Sequence, residues 1–238
     1  MITIPDDVKM PTLKNWERFR QIIQYSPSDI LRVAHTTVKT RLGFAEMHLS
    51  ILAQAKKNQM KRAMSEDVII NLVSTLEAIA HILNSFYAFG IEYRHVTIDH
   101  KFPNNEKRHN LSYKICLRCQ LKEVNPALAE FLDKYLKTGS PIEDWYKALI
   151  EYRHQILHRQ HVIAHQIGGV DGYFLPDDPQ IMGVNGRPYL DKKRKIIVYP
   201  NFTKNREIKR YTQFLYKQVR IITELVFIFI LADEDELT

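Results

Sequence analysis

The sequence predicts a mainly α protein, a helical bundle of about five to seven helices with a small β-ribbon insertion near residues 181–199. Three observations carry that expectation. Apolar residues recur at three- and four-residue spacing through most of the 238 residues, the mark of helices with one buried face. Helix-start chemistry occurs at Ser26-Pro27-Ser28-Asp29 and again at Ser140-Pro141-Ile142-Glu143. In each a capping hydroxyl precedes a proline at the first helical position and an acid in the first turn. Finally, five of the eight glycines and four of the ten prolines fall within residues 168–204, which concentrates turn chemistry in one stretch.

Taken in order, residues 1–12 are a polar lead with Pro5 and Pro11, expected to be flexible. A short helix is predicted over Leu13–Tyr25, and the Ser26 start signal opens a long one to about Lys57. Another helix begins after Ser65 and runs through Val68, Leu72, Leu76, Ile79 and Leu83 to Gly90. Apolar residues cover most of its circumference, which places it at the centre of the bundle. Residues 91–125 give no firm assignment. A helix over Pro126–Lys137 stops at Gly139, and the capping box at Ser140 starts the next. Within the loop and β-ribbon insertion of 168–204, Asn185-Gly186 marks a tight turn, and Tyr189-Leu190 can pair with Ile196–Tyr199. The last helix covers Arg206–Ala232, and the acidic tail 233–238 is expected to fray, because carboxylates oppose the helix dipole at a C-terminus. The whole reads as a single domain, residues 1–238.

The formal charge of +7 and pI near 9.3 are a moderate basic bias, compatible with a polyanionic partner such as RNA. Met1–Met10 has no apolar signal-peptide core. The most apolar run, Leu225–Ala232, is eight residues long, against roughly 20 for a bilayer span. With only two cysteines, these features lead to the expectation of a soluble, cytoplasmic protein without membrane contact.

The densest chemistry is in the helix expected through Trp145–His165. At 100° per residue, Trp145, Leu149, Tyr152, Ile156 and Ile163 share one face, the core side. His154, His158, His161 and His165 form a narrow stripe on the opposite face, with Tyr146, Leu157 and Ala164 as an apolar border. Such a stripe admits three readings: a solvated polar face, a metal site, or a functional surface. Histidines at i, i+4 are good metal ligands, but no carboxylate joins the stripe except Glu151 at its edge, so no metal is expected.

The residues themselves resemble a known family. Arg153-His154-Gln-Ile-Leu-His158 is similar to the Arg-(polar)-x-x-x-His signature of the HEPN (higher eukaryote and prokaryote nucleotide-binding) superfamily, small helical bundles many of which are metal-independent endoribonucleases. Arg159-Gln-His161-Val-Ile-Ala-His165 resembles that family's variant ending in Ala-His. The resemblance implies an RNA- or nucleotide-binding protein that works without a cofactor. It casts His158 as general acid/base and Arg153 as phosphate ligand, with His154, Arg159, His161 and His165 as supporting or alternative members. It also implies a homodimer in which two motifs face each other across a two-fold axis. Arg153 and His158 lie about 140° apart on one helix, so they flank a site that a second chain would help close.

A second resemblance is to the haem-dependent tryptophan 2,3-dioxygenase superfamily. It rests on Tyr152-Arg153-His154, followed by Gly168-Gly169-Val-Asp-Gly172 and Leu175, and on His35 and His48 in Leu31–Leu49. It implies haem held by His154 or His158, with His35 distal. The third alternative is a non-enzymatic helical interaction protein. Lys192, Lys193, Arg194 and Lys195 at the ribbon tip are candidate phosphate contacts. A lone Cys116-Leu-Arg-Cys119 lacks the second pair that a zinc ribbon needs and reads as two silent thiols.

Overall fold

The computed structural model describes residues 15–24, 26, 28–98, 116–136, 145–159, 175, 189–191, 196–198 and 206–237. Among these are seven α-helices: α1 (Trp16–Ile23), α2 (Asp29–Gln54), α3 (Asn58–Phe86), α4 (Leu117–Val124), α5 (Pro126–Leu136), α6 (Trp145–Arg159) and α7 (Ile208–Leu237). A 3-10 turn covers Tyr93–His95. The protein is mainly α, as the periodicity predicts.

The expected β-ribbon insertion is not established. Between residues 181 and 199 the described residues amount to β1 (Tyr189–Asp191) and β2 (Ile196–Val198), antiparallel with Leu190 opposite Ile197. Three residues a side cannot form an independently stable sheet. Asn185-Gly186 and the basic residues 192–195 lie outside the described residues.

Helix boundaries follow local chemistry, though not always the residues expected. The cap of α2 is Ser28 rather than Ser26: its Oγ accepts from the Leu31 N–H at 3.2 Å. The break before α3 lies at residues 55–57 rather than at Ser65. Ser65 is fully buried inside α3, its hydroxyl donating to the Arg62 carbonyl at 2.8 Å. A serine that bonds back to its own helix is accommodated in the interior instead of starting a new element. Asn125 caps α5 by accepting from the Leu128 N–H at 2.7 Å, and Pro126 takes the first helical position, where no N–H is needed. In the stretch that gave no assignment, Cys116 caps α4, its Sγ accepting from the Cys119 N–H at 3.3 Å. The two cysteines are joined in a disulfide, not left as thiols. The first turn of α4 brings their Cα atoms to 5.3 Å, within disulfide reach.

The chain forms two compact units. Of the described residues, one holds those of 44–73 and 145–217, the other those of 15–43, 74–136 and 218–237. In the first, Leu52, Val68, Ile69, Leu72, Trp145, Leu149, Tyr152, Ile208 and Leu215 form the core. In the second, Phe19 lies against Phe227 at 5.0 Å, and Leu76, Ile79, Leu83, Leu128 and Leu132 are buried. By length and composition α3 could cross a membrane, but 67% of its apolar window is buried inside the protein. That burial is the pattern of a core helix with an apolar circumference.

The end of α7 is a further correction. Helix continues through the acidic tail to Leu237 because Asp233 has partners: the Tyr87 hydroxyl donates to its carboxylate, and Asn125 Nδ2 does so at 2.7 Å. Burial, reinforced by the bond to Asp233, holds the Tyr87 hydroxyl protonated well above its ordinary range.

Candidate functional site

In the first unit, α6 carries the residues that the sequence singled out. Trp145, Leu149 and Tyr152 are buried at 1% exposure or less, as the helical wheel requires. Ile156, expected among them, is only half-buried, and Gln155 takes its place inside. The buried face is therefore wider than expected, taking in Ala148 and Gln155 on one flank. Tyr146, expected at the border of the exposed stripe, is buried too. His154 is exposed and Arg153 half-buried, both engaging neighbouring groups, while Leu157 is 51% exposed. His158 and Arg159 belong to α6, but their side chains lie outside the described residues. So do His161, His165, Lys192, Lys193, Arg194 and Lys195.

Beneath Arg153 in sequence, Tyr152 is locked by a residue that sequence reading missed. Arg206, 2% exposed, donates from Nη1 to the Tyr152 hydroxyl at 2.9 Å. Its guanidinium also sits 4.9 Å from the Tyr211 ring centroid and 5.9 Å from that of Tyr152. Buried cation–π contacts of this kind contribute about 2 kcal/mol or more when fully desolvated. They fix the rotation of α6 about its axis, and hence the direction in which Arg153 and His154 emerge. Nothing local marks Arg206: it lies 54 residues from Tyr152 in a charged stretch before α7. His48 of this unit lies 3.8 Å from Asp67.

In the second unit, two clefts bring polar groups together. One, of about 400 Å³, is lined by Ile30, Val33 and Arg41 of α2, by Glu77 and His81 of α3, and by Tyr93. There the His81 ring stacks on Tyr93 at 4.2 Å, and burial lowers its pKa. The other, of about 320 Å³, lies between α1 and α2 and includes Trp16, Arg20, Arg32, His35 and Lys39. His35 stacks on Trp16 at 3.5 Å and meets Phe19 and Phe227 at 5.4 and 6.0 Å. It is 3% exposed, yet among the described residues its Nε2 has no hydrogen-bond partner. A buried polar atom without a bond costs about 1–3 kcal/mol. Among the described residues no three His, Cys, Asp or Glu side chains converge as a metal centre would require.

His35 makes stability pH-dependent. Burial, with Arg20 and Lys39 adding repulsion, lowers its pKa from 6.5 to about 4, while a hydrogen bond with the Trp16 backbone acts in the opposite sense. Between those two values the unfolded chain binds a proton that the folded chain refuses, so stability rises with pH across the window and is lost as pH falls. At about 1.4 kcal/mol per pH unit, the fall from 6.5 to about 4 amounts to roughly 3 kcal/mol. Urea denaturation at pH 4, 5, 6 and 7 should show that gradient, and His35→Phe should flatten it. An unchanged gradient in the variant would assign the effect to other groups.

Comparison with protein-family models, with curated proteins and with solved structures finds no match to this chain.

Proposed function

We propose that the chain is a helical RNA- or nucleotide-binding protein of HEPN type, whose α6 carries a metal-independent endoribonuclease site. The observation that supports this most directly is the burial pattern of α6. Trp145, Leu149 and Tyr152 occupy the core, and the Arg/His turn that follows carries an exposed His154. In this reading Arg153 holds the phosphate in bidentate fashion and stabilises charge on its oxygens. His158 takes the proton from the ribose 2′-hydroxyl or delivers one to the departing 5′-oxygen. The 2′-oxygen bonds to phosphorus as the 5′-oxygen leaves. His154, Arg159, His161 and His165 serve as supporting members, and Lys192, Lys193, Arg194 and Lys195 reach flanking phosphates. A second copy, docking on the apolar border at Leu157, closes the site. The net charge of +7 favours such a substrate over long range.

The test is incubation of the full chain with single-stranded RNA in excess EDTA. The expected products carry 2′,3′-cyclic phosphate and 5′-hydroxyl ends, and DNA of the same sequence resists. Cleavage that EDTA abolishes would overturn the metal-independent mechanism. Binding with no cleavage would reduce the protein to an RNA-binding bundle.

A further inference from the structure

We propose that the Cys116–Cys119 disulfide at the head of α4 is a redox site that exchanges with a small thiol, cycling between disulfide and dithiol while the fold stays intact. The site does not rest on Arg153 or His158, and it uses the only two cysteines of the sequence. A disulfide that staples a fold joins distant segments, because the chain entropy it removes grows with the loop it closes. This one spans a sequence separation of 3, so its effect of that kind is small. Backbone bonds already hold the same turn: the Cys116 carbonyl accepts from the Cys119 N–H at 3.1 Å and from the Gln120 N–H at 3.2 Å. The cross-link adds little that the helix does not supply. Its reactivity is what distinguishes it.

The two sulfurs have different surroundings. Cys116 is 3% exposed and Cys119 9%, so an incoming thiolate meets Cys119 first. Cys116 is the N-cap: its Sγ accepts from the Cys119 N–H at 3.3 Å, at the positive end of an eight-residue helix. Hydrogen bond and dipole both favour a thiolate at that position, and a thiol of low pKa leaves faster. In the first step the thiolate of the small thiol bonds to Cys119 Sγ, the S–S bond breaks, and its electron pair passes to Cys116 Sγ. In the second, another thiolate attacks the small-thiol sulfur of that mixed disulfide and releases Cys119. Two small thiols become one disulfide, the protein disulfide takes up their two electrons, and their two protons end on Cys116 and Cys119.

Reduction leaves α4 in place because bonds that do not involve sulfur dock it. Arg118, between the two cysteines and buried, donates to Asp133 of α5 at 3.0 Å. Beyond the other end of the helix, Asn125 Nδ2 donates to the Tyr87 hydroxyl at 3.1 Å and to Asp233 of α7 at 2.7 Å. Leu117 and Leu121 are buried on the same helix. A reduced Cys116 still offers its sulfur to the first turn as a cap, and as thiolate it accepts that N–H more strongly. The cycle therefore changes the chemistry at the head of α4 without freeing the helix.

The test equilibrates the full chain in buffers of varied reduced-to-oxidised glutathione ratio and traps free thiols with N-ethylmaleimide. Intact mass should move from no label to two labels per chain as reduced glutathione rises, and return to none when the ratio is reversed. Glutathione separates the cases because structural disulfides resist it. A bond that persists in excess reduced glutathione until urea is added would overturn the proposal, and so would two thiols that label at every ratio. Helical circular dichroism should be the same at both ends of the series; loss of helix on reduction would make the bond a staple and sink the redox site. Acid quenching during reduction, followed by peptide mapping, should place the glutathione adduct on Cys119. An adduct on Cys116 would overturn the roles given to the two sulfurs. Cys119→Ser leaves Cys116 as the single thiol, and its alkylation by iodoacetamide against pH should show about tenfold more thiolate at neutral pH than an ordinary cysteine. An ordinary profile would rule out Cys116 as the favoured leaving group.

Discussion

His158→Ala should lower RNA cleavage by roughly 10²–10⁴-fold, the range for losing positioned acid/base assistance, while RNA binding stays nearly intact. The separation follows from the proposed roles. Histidine moves a proton only as bonds to phosphorus change, so its loss falls on turnover. Arg153 holds phosphate in ground and transition states alike, so Arg153→Ala should weaken binding and turnover together. His154→Ala, at an exposed position of α6, should have the smaller effect of a supporting residue. Single-turnover rates and filter-binding affinities for the three variants give the comparison. Cleavage that persists in both the His158 and Arg153 variants would place the activity at another site or in a contaminant.

Asp133→Ala should destabilise the second unit by about 3 kcal/mol. Arg118 is 4% exposed, and its Nη1 donates to Asp133 Oδ1 at 3.0 Å. Removing the carboxylate strands a buried guanidinium, which is far costlier than never burying one. The figure is at the low end for broken buried pairs because 28% of the Asp133 side chain remains in contact with water. Arg118→Met should cost little by contrast, since an apolar side chain of similar volume needs no partner. Asp133 would then keep Lys122, whose Nζ lies 3.0 Å away. For a chain of this length the Asp133 variant should melt about 6–12 °C lower. Equal losses in the two variants would show that packing, not the stranded charge, is responsible.

What could be read without coordinates was local. The start of α5 at Pro126 was legible because proline and the capping asparagine before it act on their own turn. The burial of Trp145, Leu149 and Tyr152 was legible because a 3.6-residue period fixes which side chains share a face. The same reasoning put Ile156 in the core and did not foresee Gln155 there, because the extent of the buried face depends on what packs against it, and a wheel carries no partner. Ser65 was misread as a helix start because its hydroxyl can serve either a free N–H or the helix's own carbonyl. Asp233 was misread as a fraying acid because Tyr87 and Asn125 are 146 and 108 residues away in sequence.

By itself, then, the sequence determined the helical class, most helix positions and the presence of an Arg/His-rich turn on α6. These depend on backbone hydrogen bonds and side-chain spacing within a few residues. Tertiary structure alone decided which polar groups are buried and against what. Arg206 lies against Tyr152 and Tyr211, Arg118 on Asp133, and His35 among Trp16, Phe19 and Phe227. The free energy of a buried polar group is set by desolvation and by its bonding partner. Both are properties of neighbours that the chain brings together only when it folds.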